Sequence, residues 1–234
     1  MYARNDEHNC CVRVTCTLSD FSANDTSLIT SVEVRRACAG TTTTIGNIAI
    51  ASPSELNFTF IDPYTASGAV YQYTCVPIIG GSSGVGVSSS KILCAFDDVF
   101  IGDLQAQYIC RADAKYESTL NLNTAIVQTY YSAYPHAVHN GDQQYHTGSF
   151  KGVFIEMDEQ CNFVLSRADS YRQQVKAFLA NPKPKTIKTK EGNVFLVEIT
   201  GGIREEYSSF RGLTTLSFEW TEVGPPPTYG IVVI

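Results

Sequence analysis

The chain has 234 residues, of which 44% are hydrophobic and 17% charged, and its formal net charge is −6. That is the composition of a folded chain, long enough for one large or two modest domains, and it argues against disorder. The acidic balance argues against a nucleic-acid partner, and no stretch approaches the roughly 20 apolar residues that span a bilayer.

The first ten residues, Met1 to Cys10, are polar and lack the apolar centre of a signal peptide, so cytoplasmic synthesis is expected. Eight cysteines (10, 11, 16, 38, 75, 94, 110 and 161) form no CxxC pair, and Cys10-Cys11 is too tight for a usual zinc knuckle. They read as small buried hydrophobes in a reducing compartment.

Residues 1–79 read as short strands separated by turn residues. Val12, Val14, Cys16 and Leu18 alternate with Arg13, Thr15 and Thr17. Val32 and Val34, Ile48 and Ile50, Phe58 and Phe60, then Tyr71, Tyr73 and Cys75 repeat that period of two, which predicts a β-sandwich. Little sequence precedes Cys10 to supply a first strand, so the sandwich is expected to be incomplete or part of a longer polypeptide.

The stretch from Ser67 to Cys75 resembles the turn and F strand of fibronectin type III and immunoglobulin-like domains, in which a corner tyrosine bonds back to backbone. Cys16 and Cys75 sit where an immunoglobulin disulfide would. No tryptophan follows Cys16 at the expected distance, and the single tryptophan is Trp220, so a fibronectin-like module with free thiols is preferred.

Residues 80–90, rich in glycine and serine, read as a linker. They lack the endings of a phosphate-binding loop. Residues 91–224 then read as a larger β-rich domain with one principal α-helix at about 167–180. Ile92 to Ile101, Leu120 to Val127, Lys151 to Met157, Cys161 to Leu165 and Leu213 to Val223 carry strand patterns. For the helix, Ser166 is the expected N-cap, Asp169 complements the first turn, and Asn181-Pro182 is the stop.

Tyr171, Val175, Phe178 and Leu179 form the predicted buried stripe of that helix, with Arg172, Gln173, Gln174 and Lys176 facing away. Lys183, Lys185 and Lys188 follow as a solvated basic face or as contacts to an acidic partner. A hairpin is expected around Lys190 to Asn193, between Thr186 to Thr189 and Val194 to Thr200. Leu216, Phe218 and Trp220 alternate with Ser217, Glu219 and Thr221, which makes that strand the expected platform for the helix. Residues 225–234 read as a Pro-rich tail.

Chemistry has few candidates. His136, His139 and His146 gather with Asp142 around a turn at Asn140-Gly141, without a preorganised metal geometry. No nucleophile elbow or HExxH motif occurs, and Asp97-Asp98, Asp158-Glu159 and Glu205-Glu206 are adjacent rather than facing across a cleft. The expectation is therefore no enzyme, no metal and no cofactor. Tyr130, Tyr131, Tyr134 and Tyr145, with His136, His139 and His146, form the candidate interface or ligand loop.

The second region also resembles a known family. Tyr134-Pro135, Asn140-Gly141 and Tyr145 to Ile155 come first, then Tyr171 to Leu179 with Pro184-Lys185, then Gly192 to Thr200, and last Ser217 to Gly224. In that order they resemble tail-tip and baseplate proteins, of the distal-tail type, from long-tailed bacteriophages and prophages. Phe195 departs from the pattern, where a tryptophan is commoner. The resemblance spans about residues 92 to 224 and implies a structural virion protein without catalytic residues. It would assemble as a homo-oligomeric ring with other tail proteins, in a virion tail made in the bacterial cytoplasm. Two further readings stand beside it: a carbohydrate- or host-surface-binding adhesin that takes a host glycan, and a secreted immunoglobulin-like protein with a Cys16 to Cys75 disulfide.

Overall fold

The computed structural model describes the chain except residues 23, 159–161, 208 and 210–212, and the side chains of residues 139, 140 and 142. The protein is mainly β with one principal helix, as its period-two patterning requires. Strands β1 to β17 and helix α1 follow one another among the described residues, and the chain divides into two compact units. Unit 1 comprises Met1–Cys110, Lys185–Leu196 and Pro225–Ile234; unit 2 comprises Arg111–Pro184 and Val197–Gly224.

Unit 1 contains two sheets that share one apolar core. The first sheet has β1 (Tyr2–Asp6), β2 (Cys11–Cys16), β5 (Phe58–Asp62) and β17 (Val232–Val233), in the order β1-β2-β5-β17. The second is built on β4 (Thr41–Ala49), β3 (Ile29–Cys38) and β6 (Val70–Ile79), with β7 (Ser82–Ser83), β8 (Val87–Ser88) and β9 (Ile92–Leu93) all pairing with β6. Val12, Val14, Cys16 and Phe60 of one sheet and Val32, Val34, Tyr73 and Cys75 of the other are buried in a common cluster. Phe60 meets Tyr73 edge-on, with ring centroids 6.0 Å apart.

Polar groups inside this core are paired. Arg36 on β3 donates to both oxygens of Asp62, at 3.1 and 2.9 Å, and the Tyr73 hydroxyl donates to the same carboxylate at 2.9 Å. A buried carboxylate needs such partners to stay charged. The Tyr71 hydroxyl accepts from the Ala66 N–H at 2.8 Å and so ties the preceding turn to its strand. Burial pushes the Tyr71 phenol up to about 12 and the Tyr73 phenol well above its ordinary value. Strand β10 (Val99–Gly102) pairs with β11 (Gln107–Cys110) and with β14 (Lys185–Lys188).

Three parts of unit 1 depart from expectation. The polar start of the chain supplies the first strand, β1, in which Ala3 alone is buried. Residues 80–90 are not a free linker, because Ser82–Ser83 and Val87–Ser88 hydrogen-bond onto β6. Residues 225–234 are not a loose tail either: Val232 and Val233 pair with Ile61 and Phe60, and Ile231 packs against the core.

Unit 2 is organised on β12 (Ala112–Val127), which pairs with β13 (His136–Val153), which in turn pairs with β16 (Thr215–Gly224). The part of β15 (Val194–Glu206) from residue 197 onward lies beside β16. Phe150 and Phe218 stack across the β13–β16 pair, with centroids 5.2 Å apart. Trp220 is buried opposite Gly148, whose missing side chain leaves room for the indole.

Helix α1 spans Ala168–Ala180 and follows a 3-10 turn at Leu165–Arg167. Ser166 therefore lies in that turn and is not the N-cap; Arg167 holds the cap position without a side-chain bond. The buried face is Ala168, Arg172, Val175 and Leu179, rotated from the expected stripe. Arg172 turns inward because acids await it: Asp169 lies 2.9 Å away and Glu205 of β15 lies 3.7 Å away. Lys176 also meets Glu205, at 3.4 Å, so ion pairs to β15 add to the burial of Val175 and Leu179 in holding the helix. Asn181 closes the helix, its N–H donating to the Phe178 carbonyl.

Candidate functional site

The candidate loop is the far end of one long hairpin. Strands β12 and β13 pair from Ala112 opposite Val153 to Val127 opposite His136. The ladder shifts register twice on the way, between Ala112 and Lys115 and again between Leu122 and Thr124. Leu122 faces Gln144 and Thr124 faces His139, so residues 140–143 form a bulge where a turn was expected, with Gly141 at φ 90°. Asn-Gly supplies left-handed backbone for either geometry, and only the long-range pairing decides between them.

The reversal lies at residues 128–135. It places Tyr130 and Tyr131 fully in solvent and Tyr134 at 80% exposure. The Tyr130 and Tyr131 rings lie 6.5 Å apart. His136 begins the return strand, exposed and opposite Val127. Tyr145 and His146 come after the bulge, opposite Asn121 and Leu120. The structure thus gathers the three tip tyrosines with His136 and sets Tyr145 and His146 apart from them. The His139 and Asp142 side chains lie outside the described residues. His146 is engaged elsewhere, with Nδ1 2.7 Å from Glu222 Oε2 and its backbone N–H donating to the same oxygen at 2.8 Å. Among the described residues no group of three His, Cys, Asp or Glu side chains is placed to hold a metal ion.

The three candidate lysines separate. Lys183 is exposed, whereas Lys185 and Lys188 are buried, which corrects the expectation of a solvated basic face. Lys188 donates to the Cys10 carbonyl and lies over the rings of Phe96 and Phe100, at 5.1 and 4.5 Å from their centroids. That carbonyl and two aromatic faces replace part of the lost hydration. Burial lowers the Lys188 pKa from its ordinary value, and burial pushes the nearby Cys11 thiol up to about 12. Neither buried lysine is available to an acidic partner. The turn at Lys190 to Asn193 forms as expected, closed by Thr189 N–H to the Asn193 carbonyl at 3.0 Å.

Cys16 and Cys75 are free thiols, as are Cys10, Cys11, Cys38, Cys94 and Cys110; Cys161 lies outside the described residues. The hydrogen bond that the Cys75 thiol donates to Cys16 and its burial together raise the Cys75 pKa, which keeps this thiol protonated and unreactive.

No protein-family model matches the chain, and no curated protein matches it. Among solved structures, a chain of the virion of a native gene transfer agent (GTA) particle aligns with it. That alignment covers 58% of this chain and 95% of the other, at 18% identity and a TM-score of 0.35. No helix among the described residues is long and apolar enough to cross a membrane.

Sequence reasoning also missed the charged outer face of the first sheet. Arg4 on β1 stands directly opposite Arg13 on β2, and Arg13 is paired with Asp6 at 3.0 Å. Tyr2, Arg4 and Asp6 alternate there about a single small apolar residue, Ala3, too little contrast to mark a strand.

Proposed function

We propose that this chain is a structural component of a phage-like particle, in a tail tip or baseplate, working by symmetric assembly rather than by chemistry. The observation that carries this reading is the tip of the β12–β13 hairpin. Tyr130, Tyr131, Tyr134, Ile126, Val127 and Val138 are all exposed there. A tyrosine buries about 150–250 Å² when covered, so the tip offers several hundred Å² for contact, the patch size that marks protein interfaces. The order of motifs between residues 92 and 224 supports the tail setting. The Tyr71 hydroxyl bonding back to Ala66 supports a fibronectin type III-like first module. The partners in this reading are further copies in a homo-oligomeric ring and other tail proteins, in particles assembled in a bacterial cytoplasm.

The test compares the wild-type chain with a Tyr130→Ser, Tyr131→Ser, Tyr134→Ser variant by sedimentation velocity and negative-stain imaging. Mass spectrometry of purified particles asks whether the chain is present. Rings that are lost in the variant are the expected result. A chain that is monomeric in every condition and absent from particles ends the proposal. The side-by-side exposure of Tyr130 and Tyr131 favours a second reading, a glycan-binding adhesin. Glycan-array binding abolished by Tyr134→Ala and Tyr145→Ala, with assembly intact, decides for it.

A further inference from the structure

We propose that the outer face of the β1-β2-β5 sheet docks onto the open face of the β12-β13-β16 sheet of a second copy of this chain. The proposal rests on the assembly reading and names the surfaces that would carry it. Side chains two residues apart on a strand share one face, about 6.6–6.8 Å apart, and directly paired residues form rows across strands. On the first face the rows are Asp6, then Arg4–Arg13–Ile61, then Tyr2–Thr15–Thr59. On the second they are Lys115–Lys151–Ser217, then Glu117–Ser149–Glu219, then Thr119–Thr147–Thr221.

Taken along the strands, one face reads acidic, basic, neutral, and the other reads basic, acidic, neutral. Both have the same spacing, so in one register every charged row meets its opposite and the hydroxyl rows meet each other. A shift of one row sets like charges against one another, which suppresses the wrong register.

Each face also carries charge that the fold leaves unused. The side chains of Arg4, Lys115, Glu117 and Glu219 have no hydrogen-bond or ion-pair partner among the described residues. Arg4 and Arg13 are like charges set directly opposite, an arrangement that destabilises a sheet unless an anion joins them. Asp6 is shared by Arg13 and by Asn9, whose backbone and side-chain N–H groups donate to it at 3.3 and 3.0 Å, and Lys151 is held by Glu206 at 2.6 Å. Both faces carry shallow depressions, of about 480 Å³ over Arg4, Arg13, Thr15 and Thr59 and about 360 Å³ over Glu117, Thr119 and Glu219, while at the far row of the first face Cys11 is buried and only the edge of Asp6 is exposed. An acidic peptide would match the arginine row but leave Lys115 and Lys151 without counterparts. A second copy matches all three rows. Because the two faces differ, the contact is head-to-tail and continues from copy to copy.

The test is a charge swap on the full chain. Sedimentation velocity follows the wild type, Arg4→Glu, and the double variant Glu117→Lys with Glu219→Lys, alone and mixed in equal amounts. Circular dichroism checks that each variant is folded. The expected result is concentration-dependent association of the wild type, weakened roughly tenfold between about 50 and 500 mM NaCl. Each variant alone should associate at least about tenfold more weakly, and the mixture should recover association because the face each variant keeps intact then meets the intact face of the other. Variants that associate like the wild type, or a mixture that fails to recover, overturn the proposal. If that association also disappears in the tip-tyrosine variant, the assembly reading survives. A wild type that is monomeric throughout overturns the proposal, and particle content then decides the assembly reading.

Discussion

Gly148 sits in the middle of the unit 2 sheet, and an alanine there has nowhere to put its methyl group. An ideal Cβ at this position lies 2.0 Å from the Glu117 carbonyl oxygen and 2.5 and 2.7 Å from two ring atoms of Trp220. Non-bonded carbons rest at about 3.5–4.0 Å, so the neighbours must retreat by more than an ångström. Neither can do so cheaply, since the carbonyl belongs to a paired strand and the indole is only 2% exposed. Overpacking of this kind costs typically 1–3 kcal/mol, and backbone involvement places Gly148→Ala at about 3 kcal/mol or more. Trp220 is the single tryptophan, so its fluorescence reports on unit 2. With a urea slope of about 2 kcal/mol per molar, the unfolding midpoint should fall by about 1.5 M. Gly202→Ala is the control, because its Cβ meets nothing within 4 Å. A Gly148→Ala midpoint within about 0.3 M of wild type would refute the close approach of Trp220 to this strand.

Other predictions concern unit 1. Burial holds the Lys188 pKa below its ordinary value, so between the two values the unfolded chain carries a proton that the folded chain has released. Stability should therefore climb with rising pH across that window and lie flat outside it, and Lys188→Met should remove the climb in urea titrations followed by near-ultraviolet dichroism. Asp62→Ala strands the Arg36 charge and should cost about 3–5 kcal/mol, against about 1–2 kcal/mol for Tyr73→Phe, which removes one hydrogen bond to the same carboxylate. Equal losses in a denaturant series would contradict the buried pair. Among the described cysteines Cys38 alone is not buried, so a thiol reagent should modify it first in the folded protein. Peptide mapping that found Cys11 or Cys75 modified as fast would count against the packing described.

Much of the fold was legible because alternation reports burial directly. Val12 and Val14, Phe58 and Phe60, Tyr71 and Tyr73, and Phe218 and Trp220 all fall on buried faces as their spacing requires. Strand β1 was not legible, since Ala3 is its only buried residue and one small apolar side chain makes no pattern. Glycine and serine at 80–90 satisfy the composition of a linker, yet their backbone groups are free to pair with a neighbouring edge, and composition does not encode that. Lys188 was misread for a longer-range reason: the carbonyl that accepts its proton belongs to Cys10, at the other end of the chain. At the candidate site the tyrosine tip was visible in the sequence. The register that moved the turn from Asn140-Gly141 to residues 128–135 was set by pairing with β12.

The way the chain threads its two units bears on how it is made. Residues 111–184 and 197–224 interrupt the sequence of unit 1, whose first sheet is completed by Val232 and Val233 pairing with Ile61 and Phe60. A ribosome releases those partners only after all of unit 2. Unit 1 must therefore wait, with the edge of β5 that meets β17 unpaired, while all of unit 2 emerges and folds. Nascent chains halted before residue 225 should hold a finished unit 2 beside an open unit 1, and it is at that stage that a chaperone would find most to bind.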